Sequence, residues 1–303
     1  MEERDFEKLK TKVLHDTGFD LNQYSQDYVK RRLGARMLTL GLTMESWADY
    51  IKVIESNREE YAKLFDFFSI NVTEFFRDPS LWKKLRLETI PKIIAEKKAS
   101  GSNCLRIWSA GCSTGEEPYS LSIILKELLP KDVFLTYFAT DIDPDALAKA
   151  QEGLYSKESL KNIGQVDQLW LNRYFTKELD PKKNVEKYRI SNDIKKMVTF
   201  KKHNFLADKP ISSVDLVICR NAMIYISPTV KDRLLGIFHQ AMVQHGYLIV
   251  GKSEIINLGS AKSIFYAIDI AEHIYRKERR LPEADAGKAE AERRKNWWPG
   301  KTY

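Results

Sequence analysis

Two segments of the 303-residue chain place small and acidic residues where a ligand could sit. The first is Ser109-Ala110-Gly111-Cys112-Ser113-Thr114-Gly115-Glu116-Glu117-Pro118, between a predicted strand and a predicted helix start. Small residues let the backbone approach a ligand closely, and a helix N-terminus offers free N–H groups. No Gly-Lys-Ser/Thr follows, so this is no Walker A loop, and the glycines are too far apart for GxGxxG. Glu116 and Glu117 would repel a pyrophosphate; they suit a ligand carrying positive charge or hydroxyls. The plainer alternative is a tight strand-to-helix turn with a charge-capped helix. The second segment is Ala139-Thr140-Asp141-Ile142-Asp143, where Asp141 ends a predicted strand and can accept both hydroxyls of a ribose. Asp143 is better explained as a helix N-cap. Acid and turn together indicate an adenosine-type ligand without phosphates, and S-adenosylmethionine fits: its sulfonium and ammonium are cationic and its ribose needs a carboxylate.

Two further segments carry candidate side chains. In Asn71-Val-Thr-Glu-Phe-Phe-Arg77, polar Asn71, Thr73 and Arg77 alternate with aromatic and apolar residues. Phe75 and Phe76 could be core and Arg77 a surface cation. Cys219-Arg220-Asn221-Ala222-Met223-Ile224-Tyr225 follows a buried strand, at the sheet edge where parallel sheets place ligands. The alternative is a turn at Arg220 and Asn221 with Tyr225 packed.

The elements that position these residues are alternating strands and helices. Strands are predicted at 105–110, 133–140, 214–219 and 246–251, and helices at 117–129, 143–151 and 228–242. This order implies a mostly parallel sheet covered on both faces. Asp78-Pro79 and Asp143-Pro144 each read as an N-cap followed by Pro at the first helical position, and Pro91 should bend or break the helix that runs to about 98. Residues 155–200 read as a small antiparallel insertion containing the extended runs at 185–190 and 197–200, with a turn at 180–184. Residues 1–66 read as helices. One of them buries Val29, Leu33, Met37 and Leu40, and presents Arg31, Arg32 and Arg36 within about 140° of each other on another face. The next helix should start at Thr43 as N-cap. The segment 281–303 reads as a flexible tail.

Composition sets limits. There are 49 basic and 42 acidic residues, for a net charge of +7, which favours an acidic partner. No apolar run is long enough to span a membrane, and the charged start lacks a signal peptide. Three cysteines without a CxxC pair fit a reduced, cytoplasmic protein, and the five histidines lack ligand spacing, so no metal is expected.

Taken together, the chain resembles the CheR-type chemotaxis receptor methyltransferases. The resemblance rests on SINVTEFFRDP at 69–79, RIWSAGCSTGEEPYSL at 106–121, FATDID at 138–143 and VICRNAMIYIS at 217–227, with YVKRRLGARM at 28–37, NRYF at 172–175 and HNF at 203–205. It covers about residues 5–277. It implies a Rossmann-like α/β S-adenosylmethionine-dependent methyltransferase domain at 67–280, with a small antiparallel β-subdomain inserted at about 155–200 and an all-α domain at 1–66 before it. It implies a cytoplasmic, monomeric protein-glutamate O-methyltransferase acting on receptor helices, without nucleic acid or membrane insertion. By motif position the cofactor contacts would be Asn71, Thr73, Arg77, Glu117, Asp141, Asn204, Phe205, Arg220 and Asn221. Arg77 and Tyr225 would serve catalysis, Tyr225 beside the acceptor, and Arg31, Arg32 and Arg36 would face the receptor. Phe205 stands where the family often has Leu.

A glutamate carboxylate, with an ordinary pKa of about 4.3, is already ionised at neutral pH, so no general base is needed. The main rival is a nucleic-acid methyltransferase, suggested by the charge. Adenine-N6 enzymes carry Asn/Asp-Pro-Pro-Tyr after the fourth strand, where this chain has Arg220-Asn221-Ala222-Met223. The second rival is a cofactor-binding scaffold without catalysis; it would keep Asp141 and the glycine turn but could lose Arg77 or Tyr225, and both are present.

Overall fold

The computed structural model describes residues 2–68, 73–180, 185–254, 256 and 264–277. Asn71, the turn expected through 181–184 and the tail at 281–303 lie outside the described residues.

The chain begins with helices α1 (Glu2–Thr17), α2 (Gln26–Thr39), α3 (Trp47–Ser56) and α4 (Glu59–Phe68). Val29, Leu33 and Met37 of α2 are buried with Phe6, Leu9, Trp47 and Leu64 in one core, while Leu40 is the C-cap and stays partly exposed. The helix expected from Thr43 begins later, at Trp47; the Thr43 hydroxyl bonds that of Ser46 instead of capping it.

Next come α5 (Pro79–Lys84) and α6 (Ile90–Ala99), joined by a π-helical segment, Leu85–Thr89. Pro91 explains that widening. It has no N–H to donate and its ring crowds the carbonyl one turn back, so the hydrogen-bond ladder shifts before it. The Asp78 side chain does not cap α5, contrary to the sequence expectation. Its backbone is left-handed, with φ 61°, and its carboxylate bonds Arg220.

The rest of the chain alternates as expected: β1 (Cys104–Ala110), α7 (Glu116–Leu128), β2 (Phe134–Asp141) and α8 (Pro144–Glu152). Here Asp143 does cap, accepting from the N–H groups of Asp145 and Ala146. Strand β3 (Leu154–Ser156), short helices α9 (Ile163–Val166) and α10 (Trp170–Tyr174), and strands β4 (Phe175–Asp180) and β5 (Val185–Ile190) follow. Then come α11 (Asn192–Lys195), β6 (Thr199–Lys202), β7 (Val214–Cys219), α12 (Pro228–Ala241), β8 (Met242–Val250), β9 (Phe265–Asp269) and β10 (Ile274–Lys277).

Among the described residues the main sheet has seven strands in the order β6-β2-β1-β7-β8-β10-β9, and the inserted sheet has three, β3-β5-β4. The inserted strands are antiparallel. The run at 197–200 does not belong to them: β6 pairs in parallel with β2, so it is an edge of the main sheet. Strand β7 pairs in parallel with β1 and β8, and the antiparallel pair β10-β9 closes the other side. Successive residues of β1 and β7 are buried on opposite faces. Ile107, Leu216 and Ile218 join a core beneath α5 to α7, and Trp108 and Val217 join one beneath α12. A sheet buried on both faces reads as a continuous apolar run, which β7 shows from Leu216 to Cys219.

Candidate functional site

All described candidates for cofactor binding and catalysis line one cavity of about 740 Å³ at the carboxyl edge of the parallel strands. This is where strand order reverses between β2, β1 and β7, the position at which doubly wound sheets bind ligands.

The glycine turn supplies its floor. Gly111 and Cys112 donate N–H bonds to the Thr140 carbonyl at 2.8 and 3.0 Å, tying the turn to β2. Gly111 has φ 81°, and a Cβ there would stand 3.0 Å from the Ala222 Cβ, so a side chain would narrow the gap between the two strand ends. Gly115 has φ 94°, and a Cβ would meet Ala150 at 2.8 Å and the Tyr155 hydroxyl at 3.0 Å. Both positions require glycine.

The two acids after the turn part company. Glu116 is buried and its Oε2 takes the Thr114 hydroxyl at 2.6 Å; it does not line the cavity. Glu117 does line it. Burial pushes the Glu117 carboxyl up to about 7, against the pull of Arg220. Arg220 stands 3.8 Å from Oε2, while the buried Oε1 has no hydrogen-bond partner among the described residues. An acid held this way calls for a cation in the cavity.

Asp141 is fixed by its neighbours. Its Oδ2 accepts from the Ser113 N–H at 2.7 Å and its Oδ1 from the Asp143 N–H at 3.0 Å. Burial raises its pKa, and the backbone N–H groups of Asp143, Ser113 and Ile142 hold it down. The carboxylate retains acceptor capacity for a hydroxyl. Asn204 uses its Oδ1 on the Leu206 N–H, at 3.0 Å, which leaves its NH2 group to donate, and Phe205 lies beside it on the cavity wall.

Arg220 is neither a turn residue nor a surface cation. Its side chain is 3% exposed; it binds the Asp78 carboxylate and, at 3.1 Å, the Arg77 carbonyl. It thereby ties the segment before α5 to the end of β7. Thr73 and Arg77 line the cavity, as do Asn221 and Tyr225.

The sequence did not single out the roof. Phe19, Tyr24, Tyr28, Phe65 and Phe68 of the helical region line the same cavity. Tyr28 stacks on Tyr225 with ring centroids 4.4 Å apart, and donates its hydroxyl to the Phe68 carbonyl at 2.7 Å. The Ser25 N–H donates to the Tyr225 carbonyl at 2.9 Å and the Ser227 N–H to the Gln23 carbonyl at 3.0 Å, a short strand-like join between the two regions. Aromatic residues spaced along helices read as core, and only their place beside Tyr225 makes them part of a site. Glu254, a buried acid past the end of β8, is a further residue that the sequence did not single out; it does not line the cavity.

The three basic candidates on α2 differ from one another. Arg31 is exposed, with its guanidinium 5.8 Å from the Tyr28 ring. Arg32 donates to the Phe67 carbonyl. Arg36 holds the buried Glu60 by two hydrogen bonds of 2.6 Å. The free basic face expected of α2 is therefore centred on Arg31, because Arg36 serves the fold.

The donor set suits S-adenosylmethionine. Glu117 awaits a cation, Asp141 retains acceptor capacity for a hydroxyl, and Gly111 leaves open the space a side chain would fill. Among the described residues no group of three or more His, Cys, Asp or Glu could hold a metal ion, and no helix is long and apolar enough to cross a membrane.

Comparison with known proteins agrees. Residues 71–274 match the family described as CheR methyltransferase, SAM binding domain, and residues 4–69 match CheR methyltransferase, all-alpha domain. The chain is 31% identical over 251 residues to a chemotaxis protein methyltransferase of Borreliella burgdorferi, covering 80% of this chain and 85% of that one. It is 31% identical over 254 residues to the chemotaxis protein methyltransferase of Escherichia coli, covering 82% and 83%. It is 32% identical over 234 residues to an uncharacterized 104.1 kDa protein of Rhodobacter capsulatus, covering 76% of this chain but spanning only 23% of that one. The glycine turn, the acid at the end of β2 and the two family matches converge: the chain belongs to the CheR methyltransferase family and is an S-adenosylmethionine-dependent methyltransferase.

Proposed function

We propose that the protein transfers the methyl group of S-adenosylmethionine to glutamate side chains of chemotaxis receptors, yielding glutamate 5-O-methyl esters and S-adenosylhomocysteine, as a cytoplasmic monomer acting in sensory adaptation. One observation carries this reading. Exposed Arg31 lies against Tyr28, and Tyr28 stacks on Tyr225 in the cavity, so a basic surface and the acceptor-side tyrosine are two ring contacts apart. An acidic receptor helix docked at Arg31 would bring a glutamate near Tyr225.

When bound, S-adenosylmethionine supplies a methyl group made electrophilic by its sulfonium. Glu117 would hold its ammonium group and Asp141 its ribose hydroxyls, with Asn204 and Phe205 at the adenine. Thr73 and Asn71 would complete the shell, with Arg220 and Asn221 on the opposite wall. Arg77 would take the methionine carboxylate; placed on the acceptor it would quench the nucleophile. Tyr225 would orient the acceptor carboxylate by a hydrogen bond. Since that carboxylate is ionised at neutral pH, the protein's contribution is alignment and exclusion of water, which can reduce the barrier by up to about 7–11 kcal/mol.

Incubation with radiolabelled cofactor and receptor-bearing membranes tests the reading. Base-labile label on the receptor supports the ester. Alkali-stable label on nucleic acid, with none on receptor, would overturn it.

A further inference from the structure

Glu254 is a carboxylate for which methyl transfer has no direct use. It is 3% exposed. Its Oε2 accepts the N–H of Gly251 at 2.7 Å and of Asn221 at 2.8 Å, and its Oε1 accepts the N–H of Met223 at 2.6 Å. Asn221 is held at φ 60°, the left-handed region that asparagine tolerates better than most residues other than glycine. Met223 opens the single 3-10 turn, Met223–Tyr225, that carries Tyr225. One carboxylate thus fixes the backbone from Asn221 into the turn of Tyr225, while Gln23 and Ser25 fix it from the other side through the carbonyl of Tyr225 and the N–H of Ser227. Gly251 belongs to the same arrangement: a Cβ there would stand 2.8 Å from Glu254 Oε2 and 3.0 Å from the Asn221 nitrogen, so the strand end must be glycine for the carboxylate to reach across.

We propose that Glu254 is a positioning residue for methyl transfer, whose carboxylate sets the Asn221–Tyr225 turn and so the place of Tyr225 beside the acceptor. The inference rests on the reading of Tyr225 as the acceptor-side group. It assigns Glu254 no contact with cofactor or acceptor. Its effect passes through the backbone.

Glu254→Gln tests it with little change of shape. The carboxamide oxygen can keep the Gly251 and Asn221 N–H groups, but its NH2 then faces the Met223 N–H, donor against donor. Loss of a buried charged hydrogen bond predicts a fall in kcat of about tenfold or more. S-adenosylhomocysteine affinity, read by calorimetry, should stay within a few fold. Amide exchange over 220–226 in the ligand-free protein should quicken by about tenfold. Glu254→Gln combined with Tyr225→Phe should lose little more than the worse single variant, because both act through one turn. A residue that only stabilises the fold would lower Tm, leave kcat per folded molecule unchanged and add independently to Tyr225→Phe. That result overturns the proposal, and so does a loss of cofactor affinity as large as the loss of kcat. If Glu254→Gln does not fold, Glu254→Asp, which keeps the charge but withdraws it by one methylene, is judged by the same readouts. Exchange and S-adenosylhomocysteine binding do not depend on the acceptor. A wild-type protein inactive on receptors would therefore reject the glutamate reading while leaving the backbone result to stand on its own.

Discussion

An ionised carboxylate with an unpartnered buried oxygen is costly until a cation reaches it, and Glu117 is in that position. Burial holds its carboxyl at about 7, so the ligand-free protein keeps a proton there below neutral pH. An ammonium group beside it favours the ionised form, and binding then releases the proton. S-adenosylhomocysteine affinity should accordingly weaken as pH falls below about 7, by up to about tenfold per unit, and be flat above it. Calorimetry across that range checks this, and Glu117→Gln should remove the slope. The same shift makes the ligand-free fold less stable as pH rises from the ordinary value of 4.5 to about 7, because the unfolded chain gives up a proton that the folded chain retains. Asp141 calls for a gentler substitution than alanine. Removing its side chain would strand the N–H groups of Ser113 and Asp143 as well as the ligand. Asp141→Asn should weaken S-adenosylhomocysteine by about tenfold to a hundredfold with a circular dichroism spectrum like that of the wild type; unchanged affinity would reject the ribose role. Asp141 and Glu117 were legible in the sequence because strand ends and helix starts have local signatures. Asp78 misled because its Pro79 signature is equally local, while its true partner, Arg220, is 142 positions away.

Helix α2 shows how far a pattern on one element can be read. Its apolar stripe named the buried residues Val29, Leu33 and Met37. Its basic face was a weaker guide, because the acids that engage it come from other helices: Glu60 of α4 for Arg36 and Glu3 of α1 for Lys30. A helical periodicity says which way a side chain points, and nothing about what the neighbouring element offers it. Arg31 and Arg36 should therefore separate in experiment. Arg31→Glu should slow receptor methylation, most at low ionic strength where screening is weakest, with Tm little changed. Arg36→Glu should lower stability by about 3–5 kcal/mol, because it leaves Glu60 buried without its partner and facing a second acid. Thermal melts and methylation rates at two salt concentrations distinguish them; a rate loss confined to Arg36→Glu would argue against docking at Arg31. The strands were read from apolar runs and the helix starts from Asp-Pro and Glu-Pro pairs. The sheet that β6 joins is not legible in its sequence for a physical reason: four residues of edge strand look alike whichever sheet they join, and only their pairing with β2 decides.

Across the whole molecule, helical region and sheet share one cavity. S-adenosylhomocysteine bound there should slow amide exchange at 17–28 as well as at 111–117 and 141–145; protection confined to the sheet would show that the helical region does not close over the ligand. The strand order has a different consequence, for the history of the chain. β1 sits between β2 and β7. β2 is made soon after it, but contacts from β1 to β7, such as the Arg106 N–H on Asp215, span 109 positions. During synthesis, one side of β1 therefore stays open, with the Ile107–Ser109 backbone unpaired, until residue 219 has left the ribosome. At about 5–20 residues per second that interval lasts several seconds. The helical region, complete by Phe68, meanwhile holds Gln23 and Ser25 ready for residues 225–227 that do not yet exist. Nascent chains halted between 141 and 219 should thus be the species most prone to aggregate and most engaged by chaperones, since they present an apolar strand edge that only later sequence can cover.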